Sequence, residues 1–350
     1  MKDKHRYPRN RPAFSPRRLI LGLALILAVL FVVSLSVGRF HVEGGQLRLL
    51  FVRLLSGDFN TGSLDADTMV VWWIRLPRCL MAIMVGVSLA LSGAVYQGLF
   101  RNPLVSPDIL GVSAGCTFGA ALGLVLPGHS FIQVHLLSFI FGLLAVYTAL
   151  GIARLVAVRP VIVLVLSGMV VLSFFNALLM VVKYFSDPLE ELPTIVFWIM
   201  GSLTRVTWMD VMVTAPFCLA VLVLFLSLRF RLNILSLGDL QARAHGVDPA
   251  FFRFILISAS SLIVAVTVSV CGQIAWIGLV VPHIARTLVG PDHKHMLPVT
   301  ALLGGIVLLG ADDVARSLTT GEIPVGIITA LTGAPVFAYL LFRNRGSGWL

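Results

Sequence analysis

Thirty-two consecutive residues without Asp, Glu, Lys or Arg run from Phe254 to Ala285, with the sequence FILISASSLIVAVTVSVCGQIAWIGLVVPHIA. A transmembrane helix needs about 20 apolar residues to cross roughly 30 Å of hydrocarbon. The stretch is therefore too long for one crossing. We predict a break at Gly272-Gln273, which gives two spans, 252–271 and 274–291.

The rest of the chain has the same apolar character. Hydrophobic residues make up 58% of the 350 residues and charged residues only 12%. One soluble core could not bury so much apolar surface, so composition predicts an all-α polytopic membrane protein. The apolar segment Leu192–Thr204 is too short to cross and is predicted to be a half-helix or a surface helix. The ten candidate spans are 19–37, 79–100, 109–127, 130–153, 160–182, 211–228, 252–271, 274–291, 297–315 and 323–342.

The basic residues predict an orientation. A net charge of +10 would suggest nucleic acid in a soluble protein, but in a membrane protein the positive-inside rule explains it, and no nucleic-acid partner is predicted. If the N-terminus lies inside, 18 of the 26 Lys and Arg residues face the cytoplasm. We therefore expect both termini to be cytoplasmic, with a basic tail at 1–18 and a single transmembrane domain at 19–345.

One polar segment lies between two predicted spans, and we call Leu237–Arg253 the polar knob. Small residues stand among its charges, and Gly246 is expected to end a short helix. Asp248-Pro249 is then expected to start the next helix as N-cap and first helical residue. The orientation places the knob in the cytoplasm. It is either an ordinary linker or a shaped surface that an external partner moves.

Three arginines lie at span ends on the predicted outer face, where the orientation rule disfavours positive charge. They are Arg75, Arg78 and Arg316. One interpretation is that they snorkel to the interface or pair with nearby acids. The other is a ring of guanidinium groups presented to an acidic partner, since arginine makes two-point bonds to carboxylates. The acids in question are Asp65, Asp67, Asp312 and Asp313.

The segment between the second and third spans contains Asn102, Pro103 and Leu104, followed by Pro107. Two prolines prevent a continuous helix and leave carbonyl groups that Asn102 can bond. The segment is either a tight turn or a constriction at the inner mouth of a pathway. A further similarity between Gly93–Leu99 and Gly272–Leu279 suggests two halves of opposite topology, an arrangement common in transporters.

The sequence lacks the motifs of several classes of enzyme and metal-binding protein. The sequence has no P-loop, no His-Glu-x-x-His and no nucleophile elbow, and its four cysteines have no Cys-x-x-Cys spacing. No bound cofactor or metal is expected. His283 is interpreted as a core histidine, and His293 and His295 as solvated loop residues. No Asp, Glu or Lys occupies the middle of a predicted span, which argues against an ion-coupled carrier and favours an external energy source.

The motifs together resemble the permease subunits of ABC importers for iron complexes, haem and cobalamin, the FecCD-type family. The resemblance runs from about Ile74 to Arg343. The blocks that carry it are Arg75–Arg78, Ser92–Gln97, Asn102–Gly115, Leu237–Gly246, Ile277–Arg286, Ala311–Arg316 and Pro324–Pro335.

The resemblance implies a type II importer with ten transmembrane helices per subunit and two permease subunits, as a homodimer or with a paralogue. Two separate ABC ATPase subunits would bind ATP and Mg²⁺, and an extracytoplasmic binding protein would deliver the substrate. The chain itself would be no enzyme and would lie in the bilayer of a bacterial inner membrane. A ferric siderophore is the expected substrate, with haem, cobalamin or molybdate as alternatives.

The same resemblance assigns roles to residues. Family members use the equivalent of the polar knob to dock in the ATPase, which implicates Leu237, Gly238, Asp239, Ala242, Arg243 and Gly246. Arg75, Arg78 and Arg316 match arginines that meet the binding protein. Asn102, Pro103 and Leu104 match an inner gate. A second gate is not carried over, because the segment around Arg159-Pro160-Val161 is apolar here. The rival functions are a secondary carrier and a membrane-embedded enzyme or structural subunit.

Overall fold

The computed structural model describes residues 15–38, 66–128, 130–156, 160–319 and 321–343, and these are helical with no β-strand. Residues 1–14 of the basic tail predicted at 1–18 lie outside the described part, as do Asp65 and residues 157–159, whereas Arg17 and Arg18 belong to α1. The helices are α1 Pro16–Ser36, α2 Ala66–Val70, α3 Leu76–Phe100, α4 Val112–Val125, α5 Phe131–Val156, α6 Pro160–Phe185, α7 Glu191–Ile199, α8 Trp208–Ser236, α9 Asp239–Ala244, α10 Pro249–Cys271, α11 Ile277–Val289, α12 His293–Ser317 and α13 Val325–Arg343.

Eight segments of the described chain are long and apolar enough to cross a membrane. Two of the ten predicted spans are shorter than expected. Helix α4 has 14 residues because Pro107–Leu110 forms a separate 3-10 turn and Gly111 interrupts the chain with a φ of 80°. Helix α11 has 13 residues because the backbone from Gly272 to Trp276 is irregular.

The predicted break in the long apolar stretch is confirmed. Helix α10 ends at Cys271, and Gly272 follows with a φ of 70°. Gly272 and Ile274 of the irregular segment are buried and its other residues are half-buried, so this non-helical backbone packs against protein, as membrane depth requires. Its polar groups have partners nearby, since the Ser202 N–H donates to the Cys271 carbonyl at 2.8 Å. The short apolar segment predicted to be a half-helix or a surface helix forms α7, a helix of nine residues.

Helices α3 and α10 form the centre of the bundle, and most of their residues are buried. Small residues make this possible because they let backbones approach closely. Gly86 of α3 lies directly against Gly304 of α12, and a Cβ on either would overlap the other's carbonyl oxygen. A Cβ on Gly93 would likewise overlap the carbonyl oxygen of Gly278 in α11, whereas a Cβ on Gly278 would meet Pro107. The two similar segments noted in the sequence are therefore in direct contact.

A π-helical turn, Val71–Arg75, joins α2 to α3. Pro77 follows it and has no N–H to donate to the preceding turn, while its ring crowds the carbonyl four residues back. The wider π turn accommodates this, so that Thr68–Phe100 is one continuous rod of 33 residues. The turn also sets the direction in which Arg75 and Arg78 leave the helix.

The bundle has two ends. The knob end carries the C-terminus of α3, the polar knob and the N-terminus of α12. The arginine end carries the start of α3, the end of α12, and α7. Trp208 at the start of α8 belongs to the arginine end, because its indole N–H donates to the Trp72 carbonyl at 2.9 Å.

Candidate functional site

The polar knob has the predicted form. Helix α8 ends at Ser236, Gly238 turns the chain with a φ of 117°, and α9 follows as a helix of six residues. Gly246 has a φ of 72°, a conformation that L-residues rarely adopt. Asp248 then caps α10 by accepting a hydrogen bond from the Ala250 N–H at 2.9 Å.

The knob is held rigidly and exposes apolar side chains. The Arg253 guanidinium donates to the Asp239 carboxylate at 2.8 Å, which ties α9 to α10. Ala242 is fully buried beneath the knob, so its small size serves packing. Leu237 and Leu240 are 59% and 83% exposed, respectively. These two leucines therefore stand exposed on a polar element.

The predicted gate segment lies beside the knob. Asn102 caps its own turn, since its Oδ1 accepts from the Leu104 N–H at 2.9 Å. Arg101 has a φ of 50°, which ends α3 and turns the chain. Its guanidinium reaches the knob, because a Cβ on Gly238 would lie 3.2 Å from Arg101 Nη1. The structure thus brings together two sites that lie more than 130 residues apart in sequence.

The interpretation of His293 as a solvated residue was wrong. It is 3% exposed at the first position of α12, and its Nδ1 lies 2.7 Å from Asn233 Oδ1. The Asn233 amide donates to Asp292 at 2.6 Å. This Asn233–Asp292–His293 cluster joins the last turns of α8 to the start of α12. We call it the latch.

Asp292 is also the N-cap of α12 and accepts from the Lys294 N–H at 2.9 Å. Its partial burial disfavours the charged form, but the hydrogen bonds from Lys294 and Asn233 outweigh this effect and lower the pKa of the carboxyl. The Asp-before-helix pattern could have predicted the cap. Nothing in the sequence indicated its partner on α8.

At the arginine end, the three predicted docking arginines are buried, each 4–5% exposed. Arg78 forms a two-point bond to Asp312, with Nε and Nη2 at 3.0 and 2.8 Å, and also reaches Glu322 at 2.7 Å. The interpretation as intramolecular ion pairs therefore holds for Arg78 within this chain, and Glu322 is a partner that sequence reasoning missed.

The other two arginines hold the end of α1. Arg316 pairs with Asp313 and donates to the Ser34 carbonyl at 2.7 Å. Arg75 donates to the Leu35 and Ser36 carbonyls at 2.8 and 2.9 Å. These cations neutralise the C-terminal end of the α1 dipole, where unpaired carbonyl groups collect.

The prediction that His283 is a core histidine is confirmed. It is 4% exposed in α11, and its ring meets Phe337 edge-on at 6.1 Å. No cluster of potential metal ligands occurs among the described residues.

Comparisons with known proteins match this architecture. The chain is 39% identical over 333 residues to the molybdate import system permease protein MolB of Haemophilus influenzae, which covers 95% of this chain and 97% of that protein. It is 37% identical over 333 residues to the hemin transport system permease protein HmuU of Yersinia pestis, which covers 94% and 96%.

A solved structure has the same fold. It is described as a metal-chelate type ABC transporter in an inward-facing conformation, with a TM-score of 0.83 and 38% sequence identity over 93% of this chain and 99% of that one. The model of the FecCD transport family matches residues 26–343. With the knob, the gate segment and the buried arginines in one helical bundle, this chain belongs to the FecCD transport family.

Proposed function

We propose that this chain is the permease subunit of an ATP-driven importer in a bacterial inner membrane. Two separate ATPase subunits bind and hydrolyse ATP, and an extracytoplasmic protein delivers the substrate. The observation that carries the proposal is the polar knob, a rigid element with exposed leucines that adjoins the gate segment through Arg101. Membership of the FecCD transport family supports it.

The proposed mechanism starts at the knob. ATP binding closes the ATPase subunits and displaces α9, which moves the ends of α8 and α10 on either side of it. The latch then passes the motion from α8 to α12. Because packed helices move as rigid bodies between discrete arrangements, the bundle switches between inward-open and outward-open states. Asn102, Pro103 and Leu104 open or close the inner mouth in this switch.

The proposed topology has ten membrane-inserted helices per subunit, with α4 and α11 inserted beside the eight long spans and both termini cytoplasmic. A second copy of the chain or a paralogue completes the pathway. Large apolar side chains exposed on α6 and α13, among them Phe174, Leu331 and Tyr339, support a further protein or lipid contact on these faces.

We propose a ferric siderophore as the substrate. The metal-chelate transporter of the same fold supports this class. Molybdate is the second candidate, because a molybdate permease shares 39% identity with nearly the whole chain. Haem and cobalamin stay as further alternatives.

We also propose that the arginine end receives the binding protein. The burial of Arg75, Arg78 and Arg316 sets a condition on this role. Each guanidinium already has intramolecular partners. A docking protein would therefore contact exposed residues around the arginines, such as Glu322, or its carboxylates would replace the internal carboxylates as partners of the arginines. The charges would then steer the encounter more than they bind.

The test is substrate uptake by proteoliposomes that contain the whole assembly. In Gly246→Pro the ring enforces a φ near −65°, which is incompatible with the observed 72° and reshapes the knob. We expect uptake to fall at least tenfold while the protein still inserts. Gly246→Asn is the matched control, since asparagine tolerates the left-handed conformation and nothing lies within 4 Å of an added Cβ, and it should retain most uptake.

Two results would contradict the proposal. One is full ATP-dependent uptake by Gly246→Pro. The other is accumulation by vesicles that hold this chain alone, driven by an ion gradient and abolished by ionophores, which would identify a secondary carrier. The substrate is identified by adding binding proteins loaded with siderophore, haem, cobalamin or molybdate, one at a time. The loaded protein that stimulates ATP hydrolysis carries the substrate.

A further inference from the structure

A groove at the arginine end lies between α5 and α8. These helices pack on either side of α10 and hardly touch each other below their ends. The cavity between them has a volume of about 540 Å³, within the range of small-molecule sites. Its floor is formed by Val266, Ser269 and Val270 of α10.

The walls of the groove are apolar and open to the surroundings of the bundle. Leu136 of α5 and Met209 and Val213 of α8 are 54%, 68% and 52% exposed, respectively. In a membrane protein these positions face hydrocarbon, so the natural contents of the groove are an acyl chain. Thr214 at the back of the groove is buried, and its hydroxyl has no hydrogen-bond partner in the described ranges.

Two charged groups lie at this end of the groove. Asp210 belongs to its own lining, and Arg205 lines the adjoining cavity, which shares Phe131 and His135 with the groove. The Arg205 guanidinium is exposed, lies 5.9 Å from the Phe131 ring centroid, and forms no ion pair within the described chain. On the other side, Asp210 Oδ1 lies 3.8 Å from Nδ1 of His135, and His135 packs edge-on against the same Phe131 ring at 5.3 Å. Arg205 therefore contacts the Phe131 ring directly, and Asp210 is linked to the same ring through His135.

This pair of charges matches a zwitterionic headgroup better than an anionic one. Arg205 can bond a phosphate at two points. Asp210 Oδ2 accepts from the Thr207 N–H and hydroxyl at 2.8 Å, which leaves Oδ1 as the acceptor for an ammonium group. We propose that the groove between α5 and α8 binds a phospholipid with an amine-bearing headgroup, of the phosphatidylethanolamine type, with its phosphate at Arg205 and its ammonium at Asp210. The proposal requires only that the chain lies in a bilayer, so it does not depend on the import function.

The test is lipid retention by the full-length chain, extracted in mild detergent and measured by native mass spectrometry after exchange into a mixture of phosphatidylethanolamine and phosphatidylglycerol. Val213→Trp should fill the groove, and Arg205→Gln should remove the phosphate partner. We expect each variant to retain at least fivefold less phosphatidylethanolamine than the parent chain.

Matched controls come from the same helix. Val223→Trp changes an equally exposed valine of α8 outside the groove, and Arg229→Gln removes an arginine that also lies over a ring, 5.2 Å from the Phe230 centroid. Both should retain lipid like the parent. If Val213→Trp and Arg205→Gln retained as much phosphatidylethanolamine as the two controls, the proposed site would be overturned. Equal retention of phosphatidylglycerol would overturn the headgroup assignment.

A second copy of the chain is the competing occupant. If it fills the groove, Met209→Cys should form a disulfide-linked dimer on oxidation and the parent chain should retain no lipid, which would also overturn the proposal.

Discussion

At the scale of single residues, the buried ion pair of Arg78 and Asp312 is the contact whose loss should cost the most stability. Asp312 is fully buried, and its partner comes from 234 positions away in the chain. Isolated charges cannot be buried without a partner, so each of these residues accounts for the presence of the other. The two-point geometry also fixes the angle between α3 and α12 at the arginine end.

We predict that Arg78→Met destabilises the protein by about 3–5 kcal/mol, because it leaves the Asp312 carboxylate buried with weaker compensation. The double variant with Asp312→Leu should recover most of this loss, since an apolar pair of similar volume avoids the desolvation cost. Thermal unfolding of the purified chain measures both.

Asp239→Asn supplies the control at the knob, where the partly exposed pair with Arg253 should contribute only about 0–1 kcal/mol. Binding-protein affinity is read in parallel. A double variant that is stable but fails to dock would assign Arg78 to docking, whereas a stable and docking-competent one would limit it to structure. Unchanged stability of Arg78→Met would contradict the burial argument.

At the scale of elements, the start of α12 illustrates how a local signal acquires a tertiary role. Asp292 caps α12 through a local hydrogen bond to a backbone N–H of the first helical turn. Its second partner, Asn233, belongs to α8. The cap therefore links two helices that both begin or end beside the knob. The proposed mechanism uses this link.

We predict that Asp292→Ala costs about 1 kcal/mol at neutral pH through loss of the N-cap. The pKa of Asp292 is lowered in the folded protein, so the charge stabilises the fold above the ordinary aspartate pKa of about 3.9. That contribution disappears as the pH falls through the lowered pKa. The difference between parent and variant should therefore shrink in acid.

Asp292→Asn is the control, because asparagine also caps helices but carries no titratable charge. Its stability relative to Asp292→Ala should not change with pH. Thermal unfolding at pH 7 and at progressively lower pH measures the three proteins. A parent–variant difference that grows in acid would show that the sign is wrong.

At the scale of the whole molecule, the distribution of basic residues and the positions of the two ends predict a single orientation. Leu240 in the knob and Leu189 before α7 are 83% and 86% exposed and lie at opposite ends of the bundle. A membrane-impermeant thiol reagent can reach only one end from each side of the membrane.

We predict that Leu240→Cys is labelled in inside-out vesicles and Leu189→Cys in spheroplasts. The parent chain provides the background, since three of its cysteines are buried and Cys218 is only partly exposed. The reverse pattern would invert the topology and remove the knob from the compartment that holds ATP.

Local features were predictable from the sequence because local physics decides them. The break at Gly272, the short α7 and the Gly238–Asp248 turn each follow from chain length, glycine and helix caps. The lengths of α4 and α11 were not predictable in this way. Apolar composition marks what can enter a membrane, but the backbone conformation inside a protein depends on neighbours that supply its hydrogen bonds.

By itself, then, the sequence determined a multi-helix membrane protein, a polar knob and a proline-containing turn after α3. Only the tertiary structure decided that three arginines are buried, that His293 belongs to a latch, and that the knob touches the gate segment. The physical reason is that charges and polar groups take whichever partners folding brings near, and their partners on other helices lie 39 to 282 residues away. No local pattern encodes such distances.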